Sequence, residues 1–263
     1  MKFAFVPTGL LACTALLTAC GGGGGDAAPA AAATVVAAPV TKVEGYYEGT
    51  VITRTQNEQF KLLALENDQF YGLSGTTDSL GVFRVTSFVE GQGTSANGGY
   101  SVPDVRLFSN DGRVVTGSIN ANFVPKTSIS GTASLTTGQS SFSGTAPAAS
   151  VLAYDTPAAL GTVVGTWAAT SLYGESVNFS ISATGILSAT FAGCTYSGLV
   201  APRASGKNVL DVSVTVGPAP CRSPGERFVG IGVTSVLPNG KRQLVLAGTN
   251  TARTGGTVLF AQR

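Results

Sequence analysis

The chemistry open to this chain is bounded first by a residue type it lacks. There is no histidine among its 263 residues, which removes Ser-His-Asp and Cys-His nucleophilic triads, histidine-ligated zinc and the usual general base near neutral pH. Acid–base work would fall to carboxylates, lysines and hydroxyls. Glu44 with Glu48 flank the first predicted strand, and Glu66 with Asp68 bracket a turn. A glycosidase needs two carboxyls about 5–10 Å apart across a cleft, and solvated strand ends account for these four more simply. Arg203, Lys207, Arg222 and Arg227 could frame an anion site, with a solvated rim as the plainer reading. The sequence contains neither a Gly-x-Ser-x-Gly elbow nor a Ser-x-x-Lys pair. Gly206-Lys207-Asn208 lacks the rest of a P-loop, and the glycines at 91 and 93 open no helix, so both read as turns. An enzyme is therefore not expected, and neither is a metal or other cofactor.

The elements that would position any such groups are strands. Only 11% of residues are charged, 43% are hydrophobic and 35 are glycine, a composition of short strands and tight turns rather than amphipathic helices. Leu210, Val212, Val214 and Val216 alternate with Asp211, Ser213 and Thr215, the signature of a half-buried strand. Residues 177–182 and 187–191 alternate likewise around Ala183-Thr184-Gly185, which predicts a hairpin. A second hairpin follows from residues 233–237 and 243–247 around Pro238-Asn239-Gly240. The last strand is predicted over residues 256–262. Read this way, about eight strands lie between residues 164 and 263, and about eight more between 45 and 147.

The two halves open alike, with Gly45-Tyr46-Tyr47 and Gly165-Thr166-Trp167, and an alanine- and proline-bearing stretch lies between them. The expectation is an all-β chain: residues 44–147 a first antiparallel barrel or sandwich, 148–162 a protease-accessible linker, and 163–263 a second barrel or sandwich, the two melting separately. One larger sandwich is the alternative. The strands are too interrupted by glycine and serine for a membrane-spanning barrel.

Ahead of the first half, Lys2 precedes an apolar run over residues 3–18, which is too short to span a bilayer and has the length of a signal-peptide core. Leu17-Thr18-Ala19-Cys20 resembles the lipobox of bacterial lipoproteins. That resemblance implies cleavage of residues 1–19 and diacylglycerol on the Cys20 sulfur, and Gly21 in the next position implies sorting to the outer membrane. An ordinary secretory signal is the alternative. The glycine run at 21–25 and the Ala, Pro, Val and Thr that follow it make residues 20–43 a flexible tether. Several acyl chains on one residue, at about 0.8 kcal/mol per buried methylene, anchor far more firmly than one.

If Cys13 leaves with the signal and Cys20 is lipidated, Cys194 and Cys221 remain and pair in an oxidising compartment; a two-thiol metal site would lack its other ligands. With Lys2 removed as well, 15 basic residues face 14 acidic ones, so there is no electrostatic case for nucleic acid.

The Gly-x-aromatic openings resemble lipocalin-like barrels, and that likeness implies a carrier of one small apolar ligand. Tyr47 and Trp167 would then line a pocket; otherwise they plug the cores. Gly193 to Gly198, Gly206-Lys207-Asn208 and Cys221 are similar to a pattern in uncharacterised proteobacterial outer-membrane lipoproteins. The expected function is a non-catalytic binding or interaction module, its partner a protein or envelope polymer, with the apolar-ligand carrier as the alternative.

Overall fold

The computed structural model describes residues 41–54, 56–79, 83–148, 152–237 and 240–263. The expected signal segment, Cys20, residues 20–40 of the expected 20–43 tether, and Pro238 with Asn239 lie outside them; the end of that tether is not free, because Lys42 pairs with Asp68 and Val43 is buried in the first core.

The first half forms β1 (Gly45–Ile52), β2 (Asn57–Ala64), β3 (Gln69–Thr77), β4 (Phe83–Gln92), β5 (Thr94–Ala96), β6 (Gly99–Ser109), β7 (Val114–Val124), β8 (Ser128–Leu135) and β9 (Gly138–Thr145). Eight of these close into an antiparallel barrel in the order β4-β3-β2-β1-β9-β8-β7-β6, sealed by pairing of β4 with β6. The short β5 is a hairpin partner on the end of β6, which makes nine strands where about eight are expected.

The second half forms β10 (Gly165–Ser171), β11 (Ser176–Ile181), β12 (Ile186–Phe191), β13 (Cys194–Pro202), β14 (Leu210–Val216), β15 (Arg227–Val236), β16 (Arg242–Asn250) and β17 (Gly256–Gln262). These close in sequence order as an eight-stranded barrel. The fold is thus two tandem closed barrels, and the single-sandwich alternative falls because each half pairs its own first and last strands.

Alternation sends one face of each strand inward. Tyr47, Phe60, Phe70, Tyr100 and Phe123 fill the first barrel; Trp167, Phe179, Ile181, Leu210 and Leu244 fill the second. Barrels of about eight strands have interiors that side chains can fill. Both are apolar inside, and the outer face of β8 and β9 carries Ser130, Thr132, Ser141 and Ser143 exposed to solvent. This polarity is the reverse of a membrane-spanning barrel.

A third apolar cluster lies between the barrels. Leu63, Leu65, Tyr71, Phe88 and Phe108 from the outside of the first meet Leu172, Val209, Ile231, Ala247 and Val258 of the second. The cause is visible in two short runs, Leu62-Leu63-Ala64-Leu65 and Leu244-Val245-Leu246-Ala247, where alternation gives way to continuous apolar residues because both faces of the strand are covered. The approach is close at Gly256, where a Cβ would stand 2.8 Å from the Phe108 ring.

The connecting segment departs from the expected free linker. Tyr154 is buried in the inter-barrel cluster, and its main-chain carbonyl accepts from Asn208 N at 2.8 Å. Leu160–Thr162 forms a 3₁₀ turn whose Leu160 packs against the second core. The described residues accordingly fall in one compact unit.

Candidate functional surfaces

The two Gly-x-aromatic motifs prove to be one structural device used twice. Gly45 and Gly165 have φ of +146° and +118°, a backbone conformation glycine adopts readily and other residues rarely. The bend brings the aromatic two residues later back over the chain. Tyr47 Oη donates to the Val43 carbonyl at 2.9 Å and Trp167 Nε1 to the Val163 carbonyl at 2.7 Å. Each bond spans the same four residues, and Tyr47, Trp167 and both valines are 0% exposed. Tyr47 Oη also accepts from Lys126 N at 3.1 Å, and burial pushes its pKa upward.

The Arg263 guanidinium lies 4.2 Å from the centroid of the Trp167 ring. It donates to the Val164 and Thr162 carbonyls, closing that end of the second barrel. Tyr47 and Trp167 therefore plug cores. Two hollows of the described residues are open surface concavities away from both aromatics: one of ≈ 400 Å³ over Thr50, Ser130 and Ser143, and one of ≈ 270 Å³ over Ile52, Thr132 and Ser141. Among the described residues no buried side-chain nitrogen or oxygen lacks a hydrogen-bond partner.

Cys194 and Cys221 form a disulfide across 27 residues. Cys194 opens β13 and Cys221 sits in the loop after β14, so the bridge fastens that loop to the neighbouring strand. Gly217 N donating to the Thr195 carbonyl at 2.7 Å reinforces it. The sulfurs pack with Val216 in a small cluster at the barrel's end, against Tyr196 and Phe228.

Of the eight charged groups suspected of framing an anion site or a carboxylate pair, four (Glu44, Glu66, Arg203 and Lys207) hold the barrels together. Arg203, expected on a solvated rim, is largely buried; it donates to Glu66 at 2.8 Å and Asp211 at 2.7 Å. Burial opposes the Glu66 carboxylate, yet the Arg203 bonds prevail and hold its pKa below the ordinary range. Lys207 pairs with Asp155 at 2.8 Å and Glu44 at 3.2 Å, and Lys126 of the first barrel grips Asp155 at 2.7 Å. Hydrogen bonds from these two lysines depress the Asp155 pKa.

Asp68 is buried, not at a solvated strand end. It accepts from Ser95 Oγ at 2.6 Å and pairs with Lys42, and its carbonyl receives Tyr100 Oη at 2.7 Å. Glu48, part-exposed, takes Lys61 at 3.1 Å and Tyr46 Oη at 2.7 Å. Arg222 and Arg227 do lie exposed near the disulfide loop.

Sequence reading missed the second inter-barrel clamp. Arg253, at the β16–β17 turn with φ +54°, donates to Glu90 at 2.6 Å and Asp104 at 2.7 Å. Burial pushes the Glu90 pKa up in spite of Arg253. Partners separated by some 150 residues leave no local signature; the one hint is Glu90, a carboxylate directly after the apolar pair Phe88-Val89 of β4. Among the described residues no three potential ligands cluster to hold a metal.

No protein-family model matches this chain, and no curated protein does. Among solved structures, a protein of unknown function from the DUF3598 family of Nostoc punctiforme is 13% identical over 84% of this chain and 96% of its own, with a TM-score of 0.26. Transferrin binding protein B from Haemophilus parasuis, as a mutant vaccine antigen, is 8% identical over 83% of this chain and 63% of its own, also at 0.26. The isotype 1 protein of that name from serogroup B Neisseria meningitidis is 10% identical over 81% and 60%, at 0.24. Similarity at this level carries no functional argument, and the fold stands on the strand pairing above.

Proposed function

We infer that this chain is a non-catalytic binding or interaction module of the cell envelope, held at the outer membrane by lipid on Cys20, with a protein or envelope polymer as its partner. The observation that supports it is the filling of both barrels by their own side chains, which leaves outer faces and loops as the surfaces for recognition. The candidate acid–base carboxylates Glu44, Glu48, Glu66 and Asp68 are engaged in ion pairs between and within the barrels. The apolar-ligand carrier is the second reading; it would need a concave pocket of some 300 Å³ or more that buries most of its ligand, where Tyr47 and Trp167 now stand in the cores.

The anchor is tested by growing the host with a labelled fatty acid. The wild-type chain should take up label and fractionate with membranes, and Cys20→Ala should do neither. Label retained in Cys20→Ala would overturn the anchor.

A further inference from the structure

Resting on the binding-module reading, we propose that the outer face of β12–β15, together with the disulfide-fastened loop, docks a protein surface that presents carboxylates beside an apolar centre. Strand register places Ile186 opposite Leu199, Leu199 opposite Ser213, and Ser213 opposite Val229, so the four stand in one row across four strands. Ile186, Leu199 and Val229 are 54%, 50% and 44% exposed. Neighbouring strands lie about 4.7–4.9 Å apart; Ile186 and Leu199 are in direct register and Val229 stands one serine further along. An apolar strip of this kind, unlike scattered apolar residues, marks an interaction site.

The next row toward the loop is Ser188, Ser197, Thr215 and Arg227, a margin of hydroxyls ending in a cation. Beyond it is the exposed Arg222, in a loop fixed by the Cys194–Cys221 bridge. Asp211 pairs with Arg203, and Glu226, held by Asn250 Nδ2 at 2.6 Å, keeps its charge but forms no ion pair with either arginine. Arg222 and Arg227 therefore meet no carboxylate among the described residues. An apolar centre with a polar margin is the anatomy of a protein interface, an unneutralised cationic edge orients an acidic partner, and a loop ordered beforehand lowers the entropic cost of binding.

Two other occupants fit less well. An anionic membrane is read by clusters of about four to eight basic residues, and this edge has two. A second copy docked face to face would offer the two arginines only Glu226, already held by Asn250 Nδ2, because an isologous contact presents only what the face itself carries.

The test is selection from a random dodecapeptide phage library on the mature lipidated chain, held in nanodiscs of neutral phosphatidylcholine. Recovered peptides should combine Asp or Glu with large apolar residues and should bind more weakly as salt rises. Their affinity should fall at least tenfold in Leu199→Ser and in the double variant Arg222→Glu/Arg227→Glu, and be unchanged in Ser130→Glu on the first barrel. Leu199→Thr, better suited to a strand, repeats the test should the serine variant melt early. Acid-free peptides, or peptides indifferent to these variants, overturn this surface; if they map to other loops, the binding-module reading survives. Competition by a second copy of the chain assigns the face to self-association and overturns the acidic partner. Recovery of no peptide counts against both.

Discussion

Trp167 and Tyr47 show how one polar atom on a large apolar side chain fixes a strand's entry into a barrel. Removing the polar atom while keeping the ring isolates that contribution. Tyr47→Phe leaves the Val43 carbonyl and the Lys126 amide short of a partner and should cost about 1–3 kcal/mol. Trp167→Ala empties the centre of the second core and should cost about 3–5 kcal/mol. Urea denaturation at neutral pH measures both.

Among the ion pairs, Glu66 has a depressed folded pKa, so its contribution is present above the ordinary carboxylate range, near 4, and is lost as pH falls through the folded value. Glu66→Gln should therefore cost about 1–3 kcal/mol at pH 7. Its deficit should shrink toward zero below about pH 3, as read by denaturation at both pH values. Glu90 works in the opposite sense. Its raised folded pKa stabilises the folded state below the ordinary range and that contribution is lost as pH rises through the folded value, so the carboxylates with depressed pKa (Glu66, Asp155 and Asp111), not Glu90, favour loss of stability in acid.

At the scale of elements, the strand pattern was readable where one face meets a core and the other meets water. Leu210 to Val216 alternates and is β14; the turns around Gly185 and Gly240 separate the hairpin strands expected of them. What escaped was the use of outer faces. Leu63 and Phe88 sit at positions that alternation assigns to solvent, and only a second body covering them explains their burial. The Gly-x-aromatic motifs were legible as strand openings, but the return bonds to Val43 and Val163 depend on a positive φ that residue types alone do not reveal. Arg263 over Trp167 pairs the chain's last residue with a strand a hundred positions earlier, and neither type nor spacing announces it. Cys194 and Cys221 were legible as a pair because two thiols remained for one compartment. Opening that bridge should loosen the second barrel by roughly 3–4 kcal/mol in the loop-entropy estimate. Thermal melting with and without reductant checks this, and an unmoved midpoint would contradict it.

For the whole molecule, the inter-barrel cluster changes what the expected linker can do. With Tyr154 buried, Asp155 gripped from both barrels by Lys126 and Lys207, and Arg253 clamped on Glu90, neither barrel can unfold without exposing apolar surface on the other. Calorimetry should give one transition whose calorimetric and van't Hoff enthalpies agree, and Phe88→Asp should split it into two. Both interiors are occupied by their own side chains, which is the ground for assigning recognition to the outer surface. Trp167, the chain's single tryptophan, lies at the centre of one interior and reports on that claim directly. Its fluorescence should be blue-shifted, resist quenching by acrylamide, and stay unchanged as a long-chain fatty acid is titrated to saturation. A saturable shift or quench of Trp167 emission by that ligand would show a barrel that opens to hold cargo, and would contradict the account.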